Sequence, residues 1–367
     1  METKMPLVNG KYLLKNAEKF KYGQAAFNVN FVDQIDAAIE IHEIMHAPLL
    51  IQVADPALGF FAGVYDFKNS TIEDKKRGAK LVADYVINKA KDTKIPIALH
   101  LDHGRNFEVC KACVDAGFTS VMYDGSSLSF EENITNTIEV VEYAKKYDVS
   151  VEGELGVLAG VEDDVRAESS TYTNPIQALE FAEKTKIDYL AISYGTKHGS
   201  NKGKDVNLST EIVIAIRELF LFNNVDCQIV SHGSSTIPRY LVKDLSKYGM
   251  DIENTEGIKI EQIKKAIRSG INKINIDTDI RMATTRNLLE MFEKDESYKL
   301  NKYYKFVYEY LMDNRGDFDP RSSLKPFMNE AIEGFSDKDK CIKDAIKKAV
   351  YEIMSQIIVE FNSLGKI

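Results

Sequence analysis

Short apolar runs alternate with amphipathic stretches along most of the chain. The runs AAFNVN (25–30), PLLIQVA (48–54), IPIALHLDH (95–103), SVMYDG (120–125), SVEGELG (150–156), DYLAISYG (188–195), CQIVSHG (227–233) and INKINIDTD (271–279) are mostly apolar until their last residues, with SVEGELG and INKINIDTD interrupted by polar ones. That is the pattern of parallel strands buried on both faces. Between them, apolar residues recur at helical spacing, as in VDQIDAAIEIHEIMHA (32–47) and EENITNTIEVVEYAKKY (131–147). Thr71 is placed to cap the helix that follows it. Eight strand–helix units over about 280 residues have the size and rhythm of a (βα)8 TIM barrel. An open doubly wound sheet is the alternative, but the first strand–helix turn lacks G-x-G-x-x-G. Residues 1–296 are therefore read as a barrel domain. Residues 297–367 are a C-terminal helical extension with a Tyr-rich stretch, YYKFVYEYL, and a long last helix over 338–362. An extension of that size needs a surface to pack on, and a partner subunit is one candidate.

Polar residues collect where the runs end, which on a barrel is the functional rim. The run at 95–104 closes on His100, Asp102 and His103 before a glycine. Alternation puts His100 and Asp102 on one face; His103 joins them only if the strand stops and turns there. Two more of the six histidines, His198 and His232, finish similar runs. Three strand-end imidazoles match the protein ligands of a catalytic zinc with an open fourth position. Asn28, Asn30, Glu152, Glu154, Asn275, Asp277, Thr278 and Asp279 also lie at strand ends, and Glu162 follows in a polar loop, 157–173. For His100 and Glu152 a capped turn, or a hydrogen bond made from behind the site, is the better reading. Gly233-Ser234-Ser235 leads towards a helix at Ile237-Pro238, and together with Thr278 it could cradle a phosphate. No lysine ends a strand; Lys273 lies near the start of the eighth. A Schiff base thus lacks its amine, and a metal is left as the electrophile.

Composition narrows the classes. A net charge of −9 without a basic run argues against nucleic acid as partner. No segment has the apolar length of a membrane span, and the N-terminus lacks a signal-peptide core, so a cytoplasmic location is expected. Cys110 and Cys113 form one C-x-x-C inside a helical pattern and read as small buried side chains; Cys227 lies in a strand and Cys341 in the tail helix.

LHLDHG, VEGELG, GTKHG, SHGSS and NIDTD, in this order, resemble the class II, metal-dependent fructose-1,6-bisphosphate aldolases, and most closely their B-type branch. The likeness runs from about residue 5 to 321. It implies that His103, His198 and His232 hold Zn2+, with Glu154 serving an alternative metal position. Zinc would polarise the ketone of dihydroxyacetone phosphate. Asp102 would act as acid/base on the C4 hydroxyl and Glu162 would move the ketose-phosphate proton. Gly199, Lys202, Gly233, Ser235, Asn275 and Thr278 would bind the dihydroxyacetone phosphate end, Asp277 would lie in the segment that reads the sugar hydroxyls, and Asn30 would also contact substrate. A monovalent cation, Na+ or K+, would sit near the phosphate. Asp319-Pro320-Arg321 resembles a motif whose arginine clamps the distal phosphate of a neighbouring subunit's substrate, in a homodimer or higher homo-oligomer. The implied reaction is reversible, glycolytic cleavage of fructose 1,6-bisphosphate to dihydroxyacetone phosphate and glyceraldehyde 3-phosphate. Tagatose-bisphosphate aldolase is the near rival, which NIDTD disfavours. A metal-dependent barrel hydrolase would often start with His-x-His on its first strand, here AAFNVN. A silent metabolite-binding protein is a third reading, kept open because Ala54 stands where the family usually has a phosphate-contacting serine, with Asp55 adding negative charge beside it. The loops at 56–75, 166–173 and 200–208 look longer or more polar than usual for the family.

Overall fold

In a computed structural model, residues 7–157, 160–162, 165–167, 171–197, 199, 206–252 and 255–367 are described, with 160–162, 165–167 and 331 as backbone alone. The strands are β1 (Gln24–Asn28), β2 (Leu49–Ala54), β3 (Ile97–Gly104), β4 (Ser120–Tyr123), β5 (Ser150–Leu155), β6 (Gly160–Glu162), β7 (Val165–Ala167), β8 (Tyr189–Ile192), β9 (Gln228–Ser231) and β10 (Ile271–Ile276). Eight of them close a parallel barrel in the order β1-β2-β3-β4-β5-β8-β9-β10, with β10 returning to β1. The expected TIM barrel is present. β6 and β7 form a small antiparallel hairpin within the stretch expected to be a polar loop.

Helices cover the outside of the barrel, and the core lies mainly between them and the strands. Thr71 caps the helix Ile72–Ala90 through a reciprocal capping box with Asp74. The run 55–70 is less irregular than its sequence suggests: a short helix, Asp55–Phe61, starts directly after β2 with Pro56 in its first turn.

Inside, the floor is an apolar layer that includes Ala26, Leu50, Ala98, Met122, Ala191 and Val230. The helix Gly10–Phe20, which the strand–helix repeat does not announce, closes it by adding Leu13 and Leu14. Gly10 permits the close seat, since a Cβ there would come within 2.9 Å of Ser150 Oγ and collide with the Tyr189 hydroxyl. Function is thereby confined to the opposite rim.

The C-terminal extension finds its surface on its own barrel. The last helix, Lys340–Glu360, packs on the helices Val32–Ile44 and Thr278–Lys294 and shares the main core through Ile342, Ile346, Val350 and Ile357. Lys347 pairs with Glu40 at 2.8 Å, and Arg286 with Glu352. Among the described residues no helix is long and apolar enough to cross a membrane.

Candidate active site

The site begins with a break in β3. Alternation would send His103 to the helical layer, but its backbone turns into the left-handed region, with φ of 49°. The register to β4 shifts between Leu101 and Gly104, so a bulge redirects the side chain. His103 therefore faces the mouth beside Asp102, and its Nδ1–H donates to Asp124 at 2.8 Å. Burial would push the Asp124 carboxyl up, but the hydrogen bond and charge of His103 outweigh it and hold it below the usual range.

His232 follows β9 and is fully buried. Its Nε2 lies 2.7 Å from Glu152 Oε1, and its Nδ1 lies 3.0 Å from His103 Nε2. Burial would again push the Glu152 carboxyl up, yet the Lys273 ammonium and the hydrogen bond to His232 pull it below its ordinary value. Carboxylates only accept, so Asp124 and Glu152 each take a ring N–H. The other two ring nitrogens are then both acceptors, facing each other at 3.0 Å. Two lone pairs in that position need a shared proton or a metal ion between them. Burial also holds His232 below its usual pKa, which favours the neutral imidazole that metals bind. The donor set thus fits a metal.

Glu154 stands above Glu152 on the same face of β5. Its Oε2 lies 3.7 Å from His103 Nδ1 and 3.9 Å from His232 Nδ1. His103, Asp124 and Glu154 form one group with metal-ligand spacing; Asp102, His103 and His232 form another. Both oxygens of Asp102 are, however, already engaged, each accepting a 3.0 Å hydrogen bond, one from Asn28 and one from Asn275. Asn28 is itself held by Gln52 at 2.7 Å. Asn30 does not join this group: its backbone N–H donates to Gln34. Of the two asparagines near the end of the first strand, Asn28 is the one that reaches Asp102. Gln52 was not singled out either, although its β2 position directly beside Asn28 is the signal.

The segment expected to cradle a phosphate differs in detail from its sequence reading. Gly233 has φ of 59°, as a tight turn after β9 requires. The helix that follows opens only at Arg239, and the amides of Thr236 and Ile237 are spent on Asp279 Oδ1, at 3.1 and 2.8 Å. The helix N-terminus next to Ser235 is instead that of Thr278–Lys294, since the Asp277 amide reaches Ser235 Oγ at 3.4 Å. Gly199 is half-buried with φ of 80°. His198 and Lys202 lie outside the described residues, as does the side chain of Glu162; its backbone ends β6 opposite Val165. Ala54 pairs with Asp102 across β2 and β3 and offers no hydroxyl. The charge of buried Asp55 is answered by an ion pair with half-buried Lys75.

Arg321 is fully buried within its own chain. Its guanidinium grips Asp319, with Nη2 to Oδ2 at 2.7 Å, and lies 4.9 Å over the Phe67 ring. Asp319 also meets Arg281 at 3.2 Å, and Arg281 grips Asp277 at 2.7 and 2.8 Å. Within the chain, the planar fork of Arg321 is held against the planar carboxylate of Asp319. Arg281 is a rim cation that sequence reasoning passed over, although Asp277 and Arg281 stand at the i, i+4 spacing of an ion pair. The cysteines are four free thiols, with Cys110 and Cys113 buried on the helix Phe107–Ala116, where burial pushes both pKa values up.

A closed parallel barrel, with paired imidazoles and an amide-held carboxylate at its strand ends, defines a metal-dependent barrel enzyme. The family model described as fructose-bisphosphate aldolase class-II matches residues 8–366, so the chain belongs to the class II fructose-bisphosphate aldolase family. The fructose-bisphosphate aldolase of Treponema pallidum is 35% identical over 346 residues, covering 91% of this chain and 95% of that protein. That of Giardia intestinalis is 34% identical, covering 96% and 97%. The crystal structure of a fructose-bisphosphate aldolase from Campylobacter jejuni superposes with a TM-score of 0.70 at 22% identity, covering 98% of this chain and 97% of that one, a likeness of fold.

Proposed function

We propose that the protein cleaves fructose 1,6-bisphosphate reversibly to dihydroxyacetone phosphate and glyceraldehyde 3-phosphate, with one zinc per chain held by His103, His198 and His232. The observation that carries this reading is the pair of imidazole lone pairs meeting beside an amide-held Asp102. When bound, the metal supplies a Lewis acid that polarises the substrate ketone.

The remaining work falls to the chain's own groups. Asp102 takes the C4 hydroxyl proton on cleavage and returns it on condensation; its two amide partners fix the carboxylate plane for that transfer. Glu162 moves the proton on the dihydroxyacetone phosphate carbon. Glu154 offers a second metal position beside His103. Gly199, Lys202, Gly233, Ser235 and Thr278 receive one phosphate, with the N-terminus of the helix Thr278–Lys294 adding favourable dipole. A Na+ or K+ ion near that phosphate completes the site. Asn275 keeps its Oδ1 without a partner among the described residues, an acceptor for a sugar hydroxyl. Asp277 reads the neighbouring hydroxyls. Arg321 clamps the distal phosphate of the substrate in a neighbouring subunit's site, and the enzyme works as a homo-oligomer in the cytoplasm.

The test is a coupled cleavage assay on fructose and tagatose 1,6-bisphosphates. Preference for the fructose epimer is expected; preference for tagatose bisphosphate would reassign the substrate, and cleavage of neither would overturn the reading.

A further inference from the structure

The barrel interior beneath the mouth holds a buried ion pair. Glu152 Oε2 meets Lys273 Nζ at 2.8 Å, and both side chains are fully buried. The other oxygen, Oε1, meets His232 Nε2 at 2.7 Å. Lys273 Nζ also lies 3.3 Å from His100 Nε2, which itself lies 3.4 Å from Glu152 Oε2, and His100 Nδ1 lies 2.6 Å from Ser120 Oγ, which in turn bonds the Tyr189 hydroxyl. A continuous polar line thus runs from the barrel floor to His232.

Such a pair needs an explanation. Taking both charges out of water costs about as much as their attraction returns, so well-packed apolar residues would serve stability equally. What apolar residues could not do is fix an imidazole. Glu152 can only accept, so His232 must carry its proton on Nε2 and turn Nδ1 towards His103. Lys273, in contact with both Glu152 Oε2 and His100 Nε2, holds that carboxylate as an anion in a single place.

We propose that Glu152 and Lys273 are positioning residues that set the tautomer and orientation of His232, and thereby the metal affinity of the site. The negative charge behind the ring also makes Nδ1 a stronger donor, as outer partners of metal-binding histidines commonly do. Lys273 accordingly serves as a fixed ammonium, never as an amine nucleophile. This rests on the reading that His232 is a metal ligand.

The experiment compares the wild type, His232→Ala, the double variant Glu152→Leu/Lys273→Met, and the double variant Glu152→Gln/Lys273→Met. Removing both charges together avoids stranding one of them, and the second pair of substitutions keeps both shape and an acceptor for His232. Each protein is stripped with chelator, its metal-free unfolding midpoint is measured, and Co2+ is titrated with the visible spectrum as readout. The expected result is a metal-free midpoint close to wild type, a loss of Co2+ affinity of about 10- to 100-fold in the Leu/Met variant, an altered cobalt spectrum, and partial recovery in the Gln/Met variant. Wild-type affinity and spectrum in the folded Leu/Met variant would overturn the proposal. Wild-type cobalt affinity in His232→Ala would instead overturn the metal reading itself, so the two failures are distinguishable.

Discussion

Asp102→Ala separates proton transfer from metal binding. In the wild type each oxygen of this buried carboxylate accepts an amide at 3.0 Å, one from β1 and one from β10. General acid–base catalysis by a positioned group is worth about 10²- to 10⁴-fold, or about 2.7–5.5 kcal/mol on the barrier. The variant should lose that factor in kcat. It should keep its metal, because the acceptor nitrogens of His103 and His232 are set by Asp124 and Glu152 rather than by Asp102. Stability should fall more modestly. Two buried amides lose an acceptor at about 1–3 kcal/mol each if left dry, and water entering the emptied space would offset much of that. Alanine is preferable to asparagine, which would point an NH2 group at the amide of Asn28 or Asn275. Steady-state cleavage, metal content by elemental analysis and thermal unfolding are measured on one preparation. Turnover within tenfold of wild type would refute the proton role. Loss of metal would make Asp102 a ligand.

Two further predictions concern stability. His42 is buried and neutral, with Nδ1 2.7 Å from the Ala38 carbonyl oxygen, and burial lowers its pKa to about 4. Its unfolded pKa is about 6.5, so its contribution is complete above that pH and is lost as pH falls towards 4. The sensitivity amounts to about 3 kcal/mol; urea unfolding at pH 7.5 and 4.5 should show His42→Met losing less stability across the interval than wild type, and equal losses would refute this. Arg321→Ala leaves half-buried Asp319 with Arg281 as its remaining cationic partner among the described residues. It should destabilise by about 3 kcal/mol, near the low end for breaking a buried pair, and a denaturation midpoint unchanged from wild type would mean that the Asp319 pairing contributes nothing.

The barrel was legible because each strand is buried on both faces and each helix on one, so period and run length carry the repeat without tertiary information. The cap at Thr71 was legible for a local reason, its side chain meeting an amide three residues on. The floor helix Gly10–Phe20 was not, because its seat depends on Ser150 and Tyr189, which are distant in sequence. Within the site, His103 and His232 announce themselves by chemistry, but their orientation depends on Asp124 and Glu152, which only folding brings near. Lys273 shares a β10 face with Asn275 by simple alternation, so its inward direction was readable; its partner was not. The choice of Asn28 over Asn30 turns on where β1 ends, a boundary that pattern alone fixes poorly. Arg321 was read from likeness as a clamp on a neighbouring subunit's substrate; its pairing with Asp319, two residues earlier, is a contact that likeness did not announce.

Metal dependence tests the account most directly. The protein is stripped with EDTA, assayed for fructose 1,6-bisphosphate cleavage, then titrated with zinc while activity and bound metal are followed together. Cleavage should vanish on stripping and return in proportion to zinc, reaching its maximum at one ion per chain, and borohydride added with substrate should leave the enzyme active. Chelator-resistant cleavage, with a lysine trapped covalently by borohydride, would contradict it.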